Sequence, residues 1–94
     1  MKVDYSKDFI GKLKRTDVRI RKSFREKIAI FQKNPNEPSL NNHQLQDPYK
    51  ELKSIDITND YRAIYEEMTI REVAVAYFVI LGTHEQLYGA RKSN

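Results

Sequence analysis

The sequence predicts an α+β fold in which two N-terminal helices pack on a twisted, mainly antiparallel sheet of about four strands, followed by a short C-terminal helical turn. Two observations predict this arrangement. Apolar side chains recur at helical spacing between residues 9 and 31, and strand-like segments follow one another between residues 49 and 81. The last segment, Val73 to Leu81, is an almost unbroken apolar run that ends at Gly82. Such a run is typical of a strand covered on both faces, so we expect it inside the sheet.

The N-terminal residues predict one strand followed by a helix. Apolar and charged residues alternate in Lys2–Tyr5, as they do in a short strand. Ser6 is a typical N-cap residue for the helix that follows. The apolar face of that helix would consist of Phe9, Ile10 and Leu13.

A second helix is predicted after a cap at Thr16 or Asp17. Its apolar stripe has spacings of four, four and three residues and consists of Ile20, Phe24, Ile28 and Phe31. The prolines of Asn34–Pro38 would end it. Its other sides carry many Lys and Arg residues, for which the sequence alone favours a solvated helix surface over a dedicated RNA contact.

The C-terminal half predicts an antiparallel meander. Ser39–Pro48 is polar and is expected to form an ordered loop packed on the domain. Tyr49–Thr58 alternates imperfectly and predicts a strand, and Asn59–Asp60 is a turn signal. Tyr61–Glu67 predicts the next strand, and Met68–Ile70 would connect it to the final apolar run.

Composition limits the classes of function. The chain has 94 residues, of which 39% are hydrophobic and 32% charged, as expected for one ordered domain. It contains no cysteine, which excludes disulfides, thiolate metal sites and a cysteine nucleophile. The N-terminus lacks the apolar core of a signal peptide, and the longest apolar run is too short to span a bilayer, so we expect a cytoplasmic protein. The formal charge of +4 is compatible with nucleic acid or an acidic protein as partner.

The motifs of several enzyme classes are absent. The sequence has no glycine-rich phosphate loop, no serine nucleophile elbow and no zinc-binding helix motif. Its two histidines lie far apart and have no cysteine beside them, so we expect neither a metal nor another cofactor. Polar groups do gather on the predicted sheet, but each has a structural explanation as well. Arg62 would form a salt bridge with a carboxylate such as Glu66, and His84 would cap the terminal helix.

Three segments nevertheless resemble one known family. They are Asn59–Glu67 (NDYRAIYEE), Leu81–Tyr88 (LGTHEQLY) and Asn42–Leu45 (NHQL). Together they resemble the RelE/ParE superfamily of bacterial toxins, and most closely the RelE/YafQ type of mRNA interferase. The likeness extends over roughly residues 40–89. It implies a single RelE-like toxin domain over residues 1–94, which would be the toxin half of a type II toxin–antitoxin pair.

The resemblance also implies catalytic roles for five residues. His84 falls on the catalytic histidine of the Gly-Thr-His motif, and Tyr88 on the aromatic residue that closes it. Arg62 falls on the strand arginine that meets the scissile phosphate. His43 and Asp60 match two further active-site positions of the YafQ type.

The chain departs from the YafQ pattern at two positions. Asp56 stands where YafQ has another histidine, and Tyr61 stands where YafQ has a tryptophan. The second group of the acid–base pair therefore stays open between His43, Asp56 and Asp60. The residues expected to contact RNA are Lys50, Lys53, Asp56 and Tyr61.

The function implied by the resemblance is cleavage of mRNA in the ribosomal A site, by acid–base chemistry that needs no metal. A histidine that titrates near neutrality suits proton transfer, and a positioned arginine suits the charge that builds up on the phosphorane. The expected partners are mRNA, the ribosome and a cognate antitoxin that is acidic where it covers Arg62. No membrane partner is expected.

Two other functions are compatible with the same resemblance. One is a ParE-like toxin that inhibits DNA gyrase and cleaves no RNA. The other is a catalytically inactive module that serves in antitoxin binding or operator-complex assembly. A histidine at position 84 with Tyr88 behind it favours the nuclease, whereas the fold alone does not distinguish these functions.

Overall fold

A computed structural model describes residues 1–89 of the chain. Its elements, in order, are β1 (Lys2–Tyr5), α1 (Lys7–Arg15), α2 (Val18–Lys33), a 3₁₀ turn (Pro38–Leu40), β2 (His43–Gln44), β3 (Lys53–Asp56), β4 (Tyr61–Ile70), β5 (Val73–Thr83) and α3 (His84–Tyr88). No helix within the described residues combines the length and the apolarity that a membrane span requires.

The five strands form one mixed sheet in the order β1-β5-β4-β3-β2. Strand β1 runs parallel to β5, and the other neighbours are antiparallel. This confirms the predicted α+β fold class. The sheet has one strand more than the predicted four, because His43 and Gln44 pair with Ser54 and Lys53 inside the segment that was expected to be a loop. A strand of two exposed residues leaves no burial pattern in the sequence, so only its backbone pairing reveals it.

Strand β5 lies between β1 and β4, as predicted, but the expectation that both of its faces are covered is wrong. Ala76, Phe78 and Leu81 are buried on the side of the helices, whereas Val75 and Tyr77 are partly exposed on the other side. The sequence of the strand is uniformly apolar because one face packs in the core and the other carries apolar residues that are partly exposed to solvent.

A bulge changes the alternation within β5. Ile64 pairs with Ile80 and Tyr65 pairs with Phe78, so Val79 has no partner of its own across this ladder. The extra residue allows Phe78 and Leu81, which are three positions apart, to contact the same core. It thereby sets the orientation in which β5 reaches α3.

The β4–β5 hairpin is longer than predicted. Met68–Ile70, expected to be a connection, continues β4 and pairs with Val73–Val75. The turn consists of Arg71 and Glu72 alone, and both have positive φ, 52° and 67°. The sequence hides this turn because residues with side chains rarely adopt the left-handed region that a two-residue hairpin loop requires.

Aromatic side chains join the helices to the sheet. The ring of Phe78 lies 5.1 Å from that of Tyr65, 5.5 Å from that of Phe31 and 5.7 Å from that of Phe9, measured between centroids. Phe24 packs 5.5 Å from Phe9. Most residues of the predicted helix stripes therefore pack in the core, whereas Ile10 remains 39% exposed at the edge of its helix.

The predicted helix caps are also present. The Ser6 hydroxyl accepts a hydrogen bond from the backbone N–H of Phe9 at 3.0 Å. Asp17 caps α2, because its Oδ1 accepts from the N–H groups of Arg19 and Ile20. Thr16 instead donates its hydroxyl proton to the carbonyl of Leu13 at 2.7 Å. The cap left open between Thr16 and Asp17 is thus Asp17.

Candidate active site

An open cleft of about 800 Å³ lies where β3, β4 and α3 meet the segment from Asn41 to Tyr49. Ala63 and Ile55 point into the helix-covered core, so their neighbours Arg62 and Ser54 point to the opposite face of the sheet. The residues that line the cleft are Asn41, His43, Gln44, Leu45, Gln46, Asp47, Pro48, Tyr49, Ser54, Arg62, His84, Leu87 and Tyr88. Four of the five predicted catalytic residues, His43, Arg62, His84 and Tyr88, are therefore in one depression.

Protein groups fix the guanidinium of Arg62. Its Nε lies 3.1 Å from Oδ1 of Asp56. Its Nη1 donates to the backbone carbonyls of Thr58, Asn59 and Tyr61 at 3.0, 3.1 and 3.2 Å. Within residues 1–89, Nη2 makes no hydrogen bond, so its two N–H groups are available to an anion in the cleft.

Asp56 pairs with Arg62 across β3 and β4, and the two residues are directly opposite each other in register. The salt bridge expected for this arginine therefore exists, but its partner is Asp56 instead of Glu66. The amide of Asn41 approaches the other carboxylate oxygen at 3.4 Å. Asp56 holds the guanidinium in place and also offsets part of its positive charge.

Helix α3 places His84 and Tyr88 one turn apart, with ring centroids separated by 4.6 Å. The cap of this helix is Thr83, whose hydroxyl accepts from the N–H of Gln86 at 3.0 Å. The Gln86 side chain in turn accepts from the N–H of Thr83 at 2.9 Å, which completes a capping box. The imidazole of His84 is thus exposed in the cleft and is not needed as a cap.

Burial raises the pKa of the Tyr88 phenol above its usual value of 10, and the Ser54 hydroxyl and the Arg62 guanidinium oppose this shift. The phenol is consequently protonated at neutral pH and can donate a hydrogen bond. The ring of Tyr49 meets that of Tyr88 edge-on at 6.3 Å, and the Tyr49 hydroxyl donates to the carbonyl of Leu87 at 3.4 Å. Tyr49 therefore supports Tyr88 from the other side of the cleft.

His43 enters the cleft from the short strand β2. Its Nδ1 lies 2.7 Å from the carbonyl oxygen of Asn41. A carbonyl accepts only, so Nδ1 carries the proton in this contact and Nε2 of the neutral ring is left with its lone pair. This tautomer suits a proton acceptor.

The other predicted site residues lie outside the cleft lining. Asp60 is exposed, and its backbone carbonyl accepts from the N–H of His84 at 2.9 Å, which ties the β3–β4 turn to α3. Lys53 pairs with Glu67 at 2.9 Å, and this bond raises the pKa of the lysine. Tyr61 packs against the core, and Lys50 is exposed near the rim.

Sequence reasoning missed Tyr49, Ser54 and Asn41 as cleft residues. Tyr49 and Ser54 sit in segments whose alternation predicts only a strand, and Asn41 has no distinctive neighbour. What brings them into the cleft is the pairing of β2 with β3, which the sequence does not indicate.

No family model matches the sequence, and no curated protein sequence matches it. Solved structures do match the fold. The YoeB/ParE toxin from Agrobacterium tumefaciens superposes with a TM-score of 0.71 at 17% identity, covering 89% of this chain and 99% of that one. The archaeal RelE–RelB complex from Pyrococcus horikoshii matches with a TM-score of 0.68 at 18% identity, covering 97% of each chain.

A third match is the DinJ–YafQ complex of E. coli, with a TM-score of 0.60 at 22% identity, covering 94% of this chain and 98% of that one. The sequence identities are low, but each alignment extends over most of this chain and of the matched chain. The chain therefore shares its fold with these toxin structures, as the resemblance of its strand and Gly-Thr-His segments predicted.

Proposed function

We propose that this protein is the toxin of a type II toxin–antitoxin system and that it cleaves mRNA as an endoribonuclease. The observation that supports this most directly is the cleft, in which two histidines, an anchored arginine and a protonated tyrosine face a common space. This is the set of groups that RNA cleavage by acid–base chemistry requires.

The reaction proceeds by attack of a 2′-oxygen on the adjacent phosphorus. A base removes the 2′-OH proton, the bond from phosphorus to the 5′-oxygen breaks, and an acid protonates that leaving oxygen. The products are a 2′,3′-cyclic phosphate and a free 5′-hydroxyl. His84 supplies one proton transfer and His43 the other. Positioned proton transfer of this kind contributes about 10²–10⁴-fold to the rate.

Arg62 binds the phosphate through Nη2, because its Nε and Nη1 are held by Asp56 and by backbone carbonyls. Since the guanidinium is already oriented, little reorganisation is needed when negative charge builds up on the phosphorane. The phenol of Tyr88 donates a hydrogen bond to a phosphate oxygen, or its ring stacks on an RNA base beside His84.

A separate antitoxin restrains this activity. The RelE and YafQ matches described above are complexes with RelB and DinJ, respectively. For this chain, we propose an antitoxin segment that is acidic where it covers Arg62 and excludes RNA from the cleft. The mRNA substrate is cut in the ribosomal A site, where the ribosome presents it as a single strand.

The test is primer extension on cellular mRNA after induction of this chain, compared with His84→Ala and Arg62→Ala. Arg25→Ala is the matched control, because it removes the same charge from an exposed site on α2. Discrete cuts within translated messages should appear with the wild type and the control and disappear in both cleft variants.

Two outcomes would overturn the proposal. Altered DNA supercoiling without message cleavage would identify the gyrase-inhibiting, ParE-like function instead. Growth arrest that survives both cleft substitutions would show that the cleft does not carry the toxicity.

A further inference from the structure

Positive charge is concentrated in the helical hairpin. Residues 7–33 contain ten Lys and Arg against three Asp and Glu, a net charge of +7, although the whole chain carries only +4. The rest of the chain, which includes the cleft, is therefore net negative. At the cleft itself, Arg62 is paired with Asp56, and Asp47 lies in the lining. Affinity for a polyanion has to come mainly from elsewhere on the surface.

Within residues 1–89, no salt bridge neutralises the charges of the hairpin. Among residues 1–89, the ion pairs are Lys53 with Glu67 and Arg62 with Asp56, and neither involves α1 or α2. Asp17 is the acidic residue within the most basic stretch, and its carboxylate caps α2 without forming a salt bridge to another described residue. Like charges without counter-charges repel one another, so a bound polyanion would relieve this repulsion.

The most basic stretch is the connection between the helices, here called the α1–α2 corner (residues 12–22). It carries six cationic residues: Lys12, Lys14, Arg15, Arg19, Arg21 and Lys22. The guanidinium of Arg21 donates to the backbone carbonyls of Thr16 and Lys14 and so holds the corner in shape. Lys14, Arg15, Arg19 and Lys22 are exposed, and none of their side chains hydrogen-bonds to another described residue.

The α1–α2 corner lies at the same end of the sheet as the cleft. Nζ of Lys12 donates to Oε1 of Gln86 at 3.2 Å, and Gln86 is two residues beyond His84 on α3. The other end of α2 lies near the start of β1, since the N-terminal ammonium of Met1 donates to the carbonyl of Gln32 at 2.7 Å. Basic side chains therefore begin at the outer side of α3 and continue away from the cleft.

We infer that the α1–α2 corner binds the phosphate backbone of the single-stranded RNA that extends beyond the cleft. This rests on the proposed function, because the cleft supplies the cutting site and the corner supplies affinity for the flanking nucleotides. The contact does not depend on the RNA sequence, because the Lys and Arg side chains bind phosphates and not base edges. The RNA strand would then run from Arg62 past α3 to the exposed cations of the corner.

An acidic protein is the less favoured occupant of this surface. Protein interfaces depend on a few buried apolar or aromatic anchors, and long flexible cations at the rim add little. Val18 is the large hydrophobic residue exposed within the α1–α2 corner. Four of the six exposed residues of the corner are cations whose side chains make no hydrogen bond to another described residue, and such a surface suits a phosphate chain better.

The experiment measures binding of a labelled 2′-O-methyl RNA of about 20 nucleotides, which has no 2′-OH and so cannot be cut. The corner variant is Lys14→Ala/Arg15→Ala/Arg19→Ala/Lys22→Ala. The control variant is Lys2→Ala/Lys7→Ala/Lys33→Ala/Arg71→Ala. Each removes four exposed cations and the same net charge, but the control residues lie outside the corner. Circular dichroism and thermal melting verify that both variants are folded.

We expect the Kd of the corner variant to rise on the order of tenfold or more, while that of the control changes much less. Each phosphate contact on a single strand contributes about 0.7 to the slope of log K against log salt, so the slope of the corner variant should fall by about 2–3. Equal loss in both variants would show a net-charge effect only and would overturn the inference. Tight binding of polyglutamate by the wild type, lost in the corner variant while RNA binding is kept, would assign the surface to an acidic protein instead.

These measurements distinguish failure of this inference from failure of the proposed nuclease function. A wild type that cuts message, together with a corner variant that binds RNA normally and has unchanged KM and kcat, would remove the inference and leave the nuclease. RNA binding that depends on the corner without any cleavage of message on translating ribosomes would leave the binding surface and remove the nuclease.

Discussion

The rings of His84 and Tyr88 lie 4.6 Å apart on consecutive turns of α3, inclined at 57° to each other. Because burial raises the pKa of the Tyr88 phenol, the group beside the imidazole is a hydrogen-bond donor throughout the neutral range. The pair therefore places an exposed imidazole beside a phenol that keeps its proton.

Tyr88→Phe tests whether the phenol proton is used. The ring and its packing against Tyr49 remain, so we expect unchanged folding and RNA binding but a kcat that is lower by about 10²-fold, the usual effect of losing one positioned donor. Single-turnover cleavage of a defined message bound to the ribosome measures this. Tyr49→Phe is the control and should retain nearly full kcat. If Tyr88→Phe were fully active, the tyrosine would act only through its ring.

Asp56→Asn tests how the carboxylate limits the charge of Arg62. The backbone carbonyls still hold Nη1, so the guanidinium stays in place while the negative charge beside it disappears. We expect KM for RNA to fall several-fold with a steeper dependence on salt, and kcat to change little. The free energy of unfolding should fall by about 1–3 kcal/mol, because the carboxylate oxygen that contacts Arg62 is buried.

Glu67→Gln is the matched control for Asp56→Asn, since it removes the carboxylate partner of Lys53 outside the cleft. Its KM should equal that of the wild type. A large loss of kcat in Asp56→Asn but not in Glu67→Gln would instead identify Asp56 as the second acid–base group, one of the alternatives that the sequence left open.

Thr83→Ala tests whether the capping box positions His84. Loss of the cap should lower the free energy of unfolding by about 1 kcal/mol and lower cleavage, because the first turn of α3 frays and the imidazole loses its place. Thr83→Ser, which keeps the hydroxyl, should rescue both. Urea unfolding and single-turnover rates provide the two measurements. Cleavage at the wild-type rate in Thr83→Ala would mean that α3 is held by its other contacts, such as the bond from His84 N–H to the Asp60 carbonyl.

Glu72→Gly should stabilise the protein. Glu72 has a φ of 67° in the β4–β5 turn, a conformation that strains a residue with a side chain but suits glycine. We expect a gain of about 0.5–1 kcal/mol in the free energy of unfolding, measured by urea titration. Thr69→Gly, in the adjoining strand, is the control and should lose stability by a similar amount. Destabilisation by Glu72→Gly would show that the glutamate side chain makes a contact worth more than the strain.

The elements with strong periodicity or a cap were predictable from sequence. Phe24 and Phe31 lie on the buried face of α2, and Ser6 and Asp17 cap their helices. The cleft was predictable only through the resemblance, since His84 and Arg62 each have a plausible structural role when considered singly. What could not be predicted depends on pairing between strands: the two-residue strand at His43 follows from its register with β3.

The accessible face of β5 could not be predicted from its sequence either. An apolar run indicates that the side chains of a strand are buried on average, but it does not indicate how far each face of the strand is covered by other elements. Val75 and Tyr77 are apolar and only partly covered, because both helices lie on the other face. The number of layers in a fold is a property of the whole chain and is not encoded in any single strand.

The parallel pairing of β1 with β5 has a consequence for synthesis. Lys2 is hydrogen-bonded beside Val75, so the first strand has no neighbour in the sheet until the last one has left the ribosomal exit tunnel. The imidazole at position 84 emerges later still. Until then, a nascent chain has no closed hydrophobic interior, and the cleft residues of β4 and α3 are not yet assembled.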